Sequence, residues 1–471
     1  MKVLLTQPNY SILGKRSWKV IPYALGILNA TIMSEFDTVL FDPNFDNLDD
    51  DSILSWLTRE NPDVVGISTI STEYITEIEH MTSLVRQSLP NATVIVGGVF
   101  PTVLLDTAML DSNVDYWLSG EGDFSFITFL RAVRDGGDFS PVEGLCYYND
   151  GNKVIQPNVY NTDLDSVPFA DYGNLDFTAY SNENMKYSQG LCAKALPHAV
   201  TITSRGCPYL CVFCSGHRVS GRRVRMRSAK NVLEEIDMLV SKGVKEITFL
   251  DDHFFFNRQR AIEIMEGLMK YNILWKCANL TIWLLDEELL TLMRKSGCYM
   301  MVISVESGDQ YVVKKIVKKP INLAKTIEIV NIAKKLGFDI ISNFIFGFPQ
   351  ETWEQIRTTI EFASNFNVDM VNFHIATPLP NTELMEECVE RGLIPNYDPK
   401  NNIGYTSGVI ETDEFTPKEL EILRAFEWDR INFSSDSRKK AVARLQNITM
   451  EELEQWRKNT RRSFGINVGG I

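Results

Sequence analysis

The chain has 471 residues, 44% of them hydrophobic and 23% charged, with eight cysteines and a net charge of −14. At roughly 150 residues per domain, that length predicts about three folded units, able to bury large cores without disulfide or metal staples. The balance is that of a globular chain and excludes a disordered one, and no stretch reaches the roughly 18 uninterrupted apolar residues of a membrane span.

The opening Met1-Lys2-Val3-Leu4-Leu5-Thr6-Gln7-Pro8 breaks too early for the apolar core of a signal peptide, so a cytoplasmic location is expected. Up to residue 140, 8 Lys and Arg stand against 19 Asp and Glu. So acidic a front repels phosphate backbones, and nucleic acid is not an expected partner. This region alternates predicted strands with predicted helices. The strands are Lys2–Thr6, Thr38–Phe41, Asp63–Ser68, Thr93–Val96 and Tyr116–Leu118; the helices are Tyr23–Ser34, Ser52–Arg59, Glu73–Ser88 and Phe124–Arg134. Strands this apolar are buried on both faces, which predicts a doubly wound parallel sheet. Ligands on such sheets sit at the carboxyl ends of strands. Gln7-Pro8-Asn9, Asp42-Pro43-Asn44, Ser68-Thr69, Gly97-Gly98 and Gly120-Glu121-Gly122 stand at those ends. Glycine there lets backbone approach a flat ligand, though plain turn chemistry also accounts for each pair.

Residues 141–195 read as a linker, with a hairpin over Tyr147–Val154 that turns at Asp150-Gly151. From about residue 196 the alternation resumes. Strands are predicted at Ala199–Thr203, Glu246–Leu250, Met300–Val305, Ile340–Phe346 and Met370–Ile375, with a weaker one near Trp275–Asn279. The helices between them are Ala229–Lys242, Arg258–Tyr271, Asp286–Lys295, Leu323–Leu336 and Thr352–Asn365. Six strand–helix units are too few for a complete eight-fold barrel, so a partial, open (β/α)6 barrel is expected over 196–385. Thr416-Pro417-Lys418-Glu419 is a capping box that opens a helical region within 386–471.

Three cysteines fall within eight residues: Cys207, Cys211 and Cys214, in Ser204-Arg205-Gly206-Cys207-Pro208-Tyr209-Leu210-Cys211-Val212-Phe213-Cys214. Soft thiolates spaced C-x3-C-x2-C on one loop suit an iron–sulfur cluster and hold three of its four irons, leaving the fourth open for chemistry. Zinc normally takes paired ligands and a fourth Cys or His at recognisable spacing. The remaining Cys146, Cys192, Cys277, Cys298 and Cys388 are dispersed, as buried small hydrophobes are. His253, at a predicted strand end, is a candidate acid or base toward substrate, or else a hydrogen-bonded loop residue. Arg218, Arg222, Arg223, Arg225 and Arg227 form a dense basic run. It reads as a solvated flank, or Arg225 or Arg227 turns inward to pair a carboxylate or phosphate of cofactor or substrate.

The cysteine loop resembles that of the radical S-adenosylmethionine superfamily, with Phe213 as the aromatic residue before the last cysteine. The resemblance implies a [4Fe–4S] cluster on Cys207, Cys211 and Cys214 whose open iron binds S-adenosylmethionine. Further segments follow in the family's order. Phe249-Leu250-Asp251-Asp252 resembles the motif that contacts the methionine amino group. Ser304-Val305-Glu306-Ser307-Gly308 resembles the ribose motif, and Asn343 through Glu351, with Gly347, resembles the glycine motif after the fifth strand. His374 through Thr382, with Ile375, resembles a segment near the adenine; Asn381 stands where glycine is usual, and asparagine also tolerates a left-handed backbone. Glu306 is read as catalytic as well as cofactor-binding.

The sheet before this barrel, with a linker carrying Leu164-Asp165-Ser166-Val167-Pro168-Phe169, resembles the cobalamin-binding class of these enzymes, which implies a flavodoxin-like domain over 1–140. Cobalamin contacts are then expected from Gln7, Pro8, Asn9, Ser68, Thr69, Gly97, Gly98, Gly120, Glu121 and Gly122. No D-x-H-x-x-G sequence supplies a lower histidine ligand, as is common in that class. The resemblance implies methylation of an unactivated carbon on a small molecule, with an external electron donor such as flavodoxin or ferredoxin. The alternatives are non-methylating radical chemistry (cyclisation, deoxygenation or rearrangement) and a non-catalytic corrinoid or redox sensor. A methylthio-transferring RNA enzyme would carry cysteines for a second cluster in its front domain, and here none precedes Cys146.

Overall fold

A computed structural model describes residues 1–15, 18–186, 190–395, 397–400, 404 and 407–463. The end of the expected helical region, 464–471, lies outside the described residues. The chain divides into two compact units, Met1–Glu183 with Ser215–Arg227 and Asn184–Cys214 with Ser228–Ile471.

The first unit is built on β1 (Lys2–Thr6), β2 (Asp37–Phe41), β3 (Val64–Thr69), β4 (Thr93–Gly98), β5 (Tyr116–Leu118), β6 (Leu145–Asn149) and β7 (Asn152–Ile155). Among the described residues they form one sheet in the order β2-β1-β3-β4-β5-β6-β7. The first five strands run parallel, and β6 and β7 close the edge antiparallel. Alternate residues of one strand enter opposite cores: Leu4, Val65 and Val94 pack with Leu57, Ile78 and Val85 on one face, and Val3, Val64 and Ile95 pack with Leu25, Phe126 and Leu130 on the other. Burial on both faces explains the uninterrupted apolar strands. The hairpin at Asp150-Gly151 turns with positive φ at both residues, 49° and 78°, as a type I′ turn requires. Its strands extend this sheet by pairing Trp117 with Cys146.

In the second unit, β8 (His198–Thr201), β9 (Glu246–Phe249), β10 (Leu274–Leu280), β11 (Cys298–Glu306), β12 (Asp339–Phe346) and β13 (Met370–Ile375) lie side by side in chain order, all parallel. Helices Ala229–Ser241, Arg258–Leu268, Glu287–Lys295, Leu323–Lys335 and Trp353–Asn365 connect them. This is the open six-stranded barrel expected from the alternation. The weakly patterned strand near Trp275–Asn279 is a full seven-residue central strand. Its apolar signal is masked by Lys276, which is completely buried and bonds Glu246 Oε1 at 2.6 Å, the Cys192 carbonyl at 2.7 Å and Tyr299 Oη at 3.1 Å. At the far edge, helix Pro417–Asn432 covers β13. Asn432 accepts from Val371 N at 2.9 Å and donates to Val371 O at 2.8 Å, so the edge strand's backbone is answered by a side chain. That helix opens on the expected capping box between Thr416 and Glu419. All eight cysteines are free thiols. Among the described residues, no helix is long and apolar enough to cross a membrane.

Candidate functional site

The cysteine loop leaves β8 under tight restraint. Asp251, just past β9, accepts from Thr203 N at 2.6 Å, Thr203 Oγ1 at 2.5 Å and Ser204 Oγ at 2.8 Å. Arg260 donates to Thr203 O at 2.9 Å from the same side. Asp251 is buried, and that burial raises its pKa against the hydrogen bonds and the Arg260 charge, which lower it. Asp252 accepts from Gly206 N at 2.8 Å, immediately before Cys207. Expected as cofactor contacts, these carboxylates are engaged in fastening the start of the loop. Gly206 takes φ +97°, a conformation that favours glycine. Further along, Val212 donates to Val317 O at 3.2 Å and accepts from Leu384 N at 3.0 Å, while Cys214 N closes a turn on Cys211 O at 3.1 Å.

The three thiols are half-buried. Burial pushes Cys207 up and Cys211 up to about 12, and each is raised further by the charge of its neighbours, so all three stand within electrostatic reach of one another. The Lys319 charge pulls both the other way. Among the described residues, no three His, Cys, Asp or Glu side chains converge as the ligands of one metal ion do. A polynuclear cluster makes a different demand, since its ligand sulfurs sit on separate irons and do not meet at a point. Three soft donors on one fastened loop fit such a cluster.

His253 does not stand free as an acid or base. It is buried, with Nε2 3.0 Å from Cys207 Sγ and Nδ1 3.0 Å from Thr281 Oγ1. Burial lowers its pKa, so the neutral ring is the resident form.

Beside the loop lies a cavity of about 240 Å3, and four of the expected residues, Phe213, Ser304, Glu306 and Ile375, line it together. Glu306 ends β11 with φ +72°, at a register shift against β12. A non-glycine residue held there is strained, and such strain persists where surrounding contacts impose it. Lys319 holds the residue from both ends, donating to Glu306 Oε1 at 2.6 Å and to the Ser304 carbonyl at 2.7 Å. Ser307 points elsewhere: it is fully buried, with Oγ 2.7 Å from Thr359 Oγ1. Gly347 takes φ +91°, and a Cβ there would meet Leu420 Cδ1 at 2.5 Å. Its N–H donates to Glu351 Oε2 at 2.7 Å. Asn381 adopts φ +59°, the left-handed backbone expected of it.

Asn343, Ile345, His374 and Thr377 line the cavity too; they fall within the segments quoted for the resemblance, which singled out only Gly347 and Ile375, whereas Lys319, the partner of Glu306, lies outside every motif. Asn343 and Ile345 are alternate residues of β12, so a period-two reading toward the barrel interior could have found them. Burial pushes the His374 pKa down to about 4, which keeps that ring neutral.

In the first unit, the strand order 2-1-3-4-5 puts the topological switch between β1 and β3, where open α/β sheets bind ligands. Gln7, Pro8 and Asn9 follow β1, and Ser68 and Thr69 end β3. Ser68 and Thr69 pair in register with Gly97 and Gly98 of β4, leaving a ledge with few side-chain atoms. Such a ledge suits the flat face of a corrin ring. Several of the polar groups are already engaged. Asn9 Nδ2 donates to Asn47 Oδ1 and Leu48 O, Gln7 Oε1 accepts from Tyr10 Oη, and Thr69 Oγ1 donates to Gly97 O and accepts from Phe100 N. A Cβ on Gly98 would meet Thr69 O at 2.4 Å, so the backbone itself demands glycine. Gly120 donates to Thr102 Oγ1 at 2.8 Å, and beside it Gly122 leaves a Cβ 3.3 Å from Leu28 Cδ2. Glu121 is held in a fork by Arg225, both bonds 2.7 Å long. The inward-turning arginine of the basic run therefore pairs a carboxylate of the chain, and Arg227 is buried with its guanidinium over the Phe169 ring.

The family model described as the radical SAM superfamily matches residues 201–363, and the one described as the B12 binding domain matches residues 12–128. An uncharacterized methyltransferase of Pyrococcus horikoshii is 31% identical over 437 residues, covering 90% of this chain and 90% of that one. The cytidylyl-2-hydroxyethylphosphonate methyltransferase of Streptomyces wedmorensis is 29% identical, over 77% of this chain and 73% of its own. Among solved structures, the radical S-adenosylmethionine methyltransferase TsrM of Kitasatospora setae, with cobalamin and a [4Fe–4S] cluster bound, shares the fold. Its TM-score is 0.68 at 17% identity, over 89% of this chain and 80% of that one. The chain belongs to the cobalamin-binding-domain class of the radical S-adenosylmethionine enzymes, whose cofactors are a [4Fe–4S] cluster, S-adenosylmethionine and cobalamin.

Proposed function

We propose that this enzyme methylates an unactivated carbon of a small molecule in the cytoplasm, drawing electrons from an external donor. The observation that carries the reading is the similarity, end to end over 90% of both chains, to a protein named as a methyltransferase, together with the three-thiol loop that opens the barrel. When bound, the cluster supplies an electron for cleavage of S-adenosylmethionine to a hydrogen-abstracting adenosyl radical, and the corrinoid supplies the methyl group.

The chain's own residues hold, orient and exclude. Cys207, Cys211 and Cys214 would hold the cluster, on a loop fastened by Asp251 and Asp252. Phe213 and Ile375 give the adjoining cavity apolar walls that keep water from a reactive species. Lys319 fixes the Glu306 carboxylate in the cavity wall, where it would accept hydrogen bonds from a ribose. Ser68, Thr69, Gly97 and Gly98 would leave room for the corrin face in the first unit. The eight free thiols and the absence, among the described residues, of a membrane-crossing helix suit a reducing cytoplasm.

Anaerobic reconstitution with S-adenosylmethionine and hydroxocobalamin, followed by mass analysis of the adenosyl products, tests this. Methylation yields both S-adenosylhomocysteine and 5′-deoxyadenosine. Cyclisation, deoxygenation or rearrangement would yield no S-adenosylhomocysteine, and full activity in Cys211→Ala would point to a sensor instead.

A further inference from the structure

The cysteine loop has a second side. Pro208, Tyr209 and Leu210, which separate Cys207 from Cys211, form one wall of an open groove of about 620 Å3, and the facing wall is the segment Lys314–Asn322. In a chain of net charge −14, that segment places four lysines in six residues, Lys314-Lys315-Ile316-Val317-Lys318-Lys319. Lys319 is turned inward onto Glu306, and Lys318 pairs with Glu383. Lys314 and Lys315 are exposed and, among the described residues, have no acidic partner. Leu210 projects from the loop with 58% of its surface exposed. The two walls are joined by the Val212 N to Val317 O hydrogen bond, so the lysine segment is tied directly to the cluster loop.

A cluster on this loop must be reduced, and an electron carried by a protein has to be brought close to it. The groove combines loop backbone between two cluster cysteines, an exposed apolar side chain and unpaired positive charge. Small, weak electron-transfer encounters use such surfaces: charge steers the partner in and little area is buried. We propose that the groove docks a small acidic protein carrying a low-potential one-electron centre, which reduces the cluster. One electron leaves the carrier, one enters the cluster, and no atom is transferred. The assignment rests on the radical reading above.

The test uses the full-length reconstituted chain and reduced flavodoxin as the probe, with bleaching of the cluster absorbance followed by stopped flow. Lys314→Glu/Lys315→Glu is expected to lower the second-order rate constant at low salt by about tenfold, and the gap is expected to close at high salt. Reduction by dithionite should be the same as in the unaltered chain. Charge reversal at Lys230 and Lys440, exposed on other helices, is expected to leave the flavodoxin rate unchanged. Equal flavodoxin rates in the groove variant and the unaltered chain would overturn the proposal. So would inorganic phosphate that binds the groove without slowing flavodoxin, which would assign it to a small anion. An unaltered chain with no cluster that dithionite can bleach would instead overturn the radical reading beneath it.

Discussion

His253 Nε2 lies 3.0 Å from Cys207 Sγ, and the same ring reaches Thr281 Oγ1 at 3.0 Å through Nδ1. With a cluster in place, the Cys207 thiolate could only accept, so the neutral ring would carry its proton on Nε2 and Thr281 O–H would donate to Nδ1. Hydrogen bonds to cluster sulfurs favour the more negative, reduced state. Replacing His253 by Leu is therefore expected to keep the cluster but make it harder to reduce. The loss of one such bond, about 1 kcal/mol, corresponds to roughly 40–45 mV in a one-electron couple. Spectroelectrochemical titration of both proteins reads this directly. An unchanged midpoint would show that the contact leaves the cluster's potential alone.

Glu306 and Lys319 are almost wholly removed from water, at 4% and 10% side-chain exposure. Removing one member leaves the other charge buried and unanswered, at a cost of about 3 kcal/mol. Lys319→Met should lower unfolding stability by about that amount, and Lys319→Met/Glu306→Gln should recover part of it. Glu306→Gln alone is expected to weaken S-adenosylmethionine binding by about tenfold, or 1.4 kcal/mol. Urea unfolding and calorimetric titration measure the two effects, and additive losses in the double variant would argue against a coupled pair.

The Arg225–Glu121 fork in the first unit is similarly buried, at 3% and 11%. A lysine keeps the charge but cannot make the paired bonds, so Arg225→Lys should be destabilising where a surface exchange would be neutral. The expected loss is about 2 kcal/mol, between a neutral exchange and outright deletion of a partner. Equal stability of variant and parent in urea would mean that the fork contributes nothing.

Glu351 is fully enclosed, with Oε2 bonded to the N–H groups of Gly347 and Phe348. Burial pushes its pKa up to about 8 from an ordinary 4.5, and the Asp309 charge adds to the rise. Between those two values the folded state keeps a proton that the unfolded chain has lost. Stability contributed by this group therefore falls as pH rises toward 8 and levels off above it. Glu351→Gln imitates the protonated form and removes this slope. The stability difference between variant and parent, followed by denaturant unfolding at about pH 6 and about pH 9, should shift in the variant's favour at the higher pH. A difference that does not move with pH would contradict the assignment.

Strands with one uniform demand were legible in advance: Lys2–Thr6, Tyr116–Leu118 and Met370–Ile375 begin and end where their apolar runs do. The thiol loop was legible because its three donors are local. Partners brought together by folding were not. Glu121 and Arg225 are 104 residues apart, and nothing in either neighbourhood announces the other. The charge on Lys276 weakened the signal of a central strand and shortened its expected length, because its neutralising partner, Glu246, lies on the adjacent strand. Asp251 and Asp252 were recognised by their motif, yet their hydrogen bonds run to the start of the cysteine loop, a relation that exists only once β8 and β9 are paired.

Methyl transfer by this enzyme needs the cluster, S-adenosylmethionine and cobalamin on one chain. The most direct test is to supply S-adenosylmethionine with a deuterated methyl group to the anaerobically reconstituted, reduced enzyme and to follow that label by mass spectrometry. The labelled methyl is expected on the bound corrinoid, with S-adenosylhomocysteine released and 5′-deoxyadenosine formed only while Cys207, Cys211 and Cys214 are intact. An unlabelled corrinoid with 5′-deoxyadenosine as the sole adenosyl product would contradict methyl transfer.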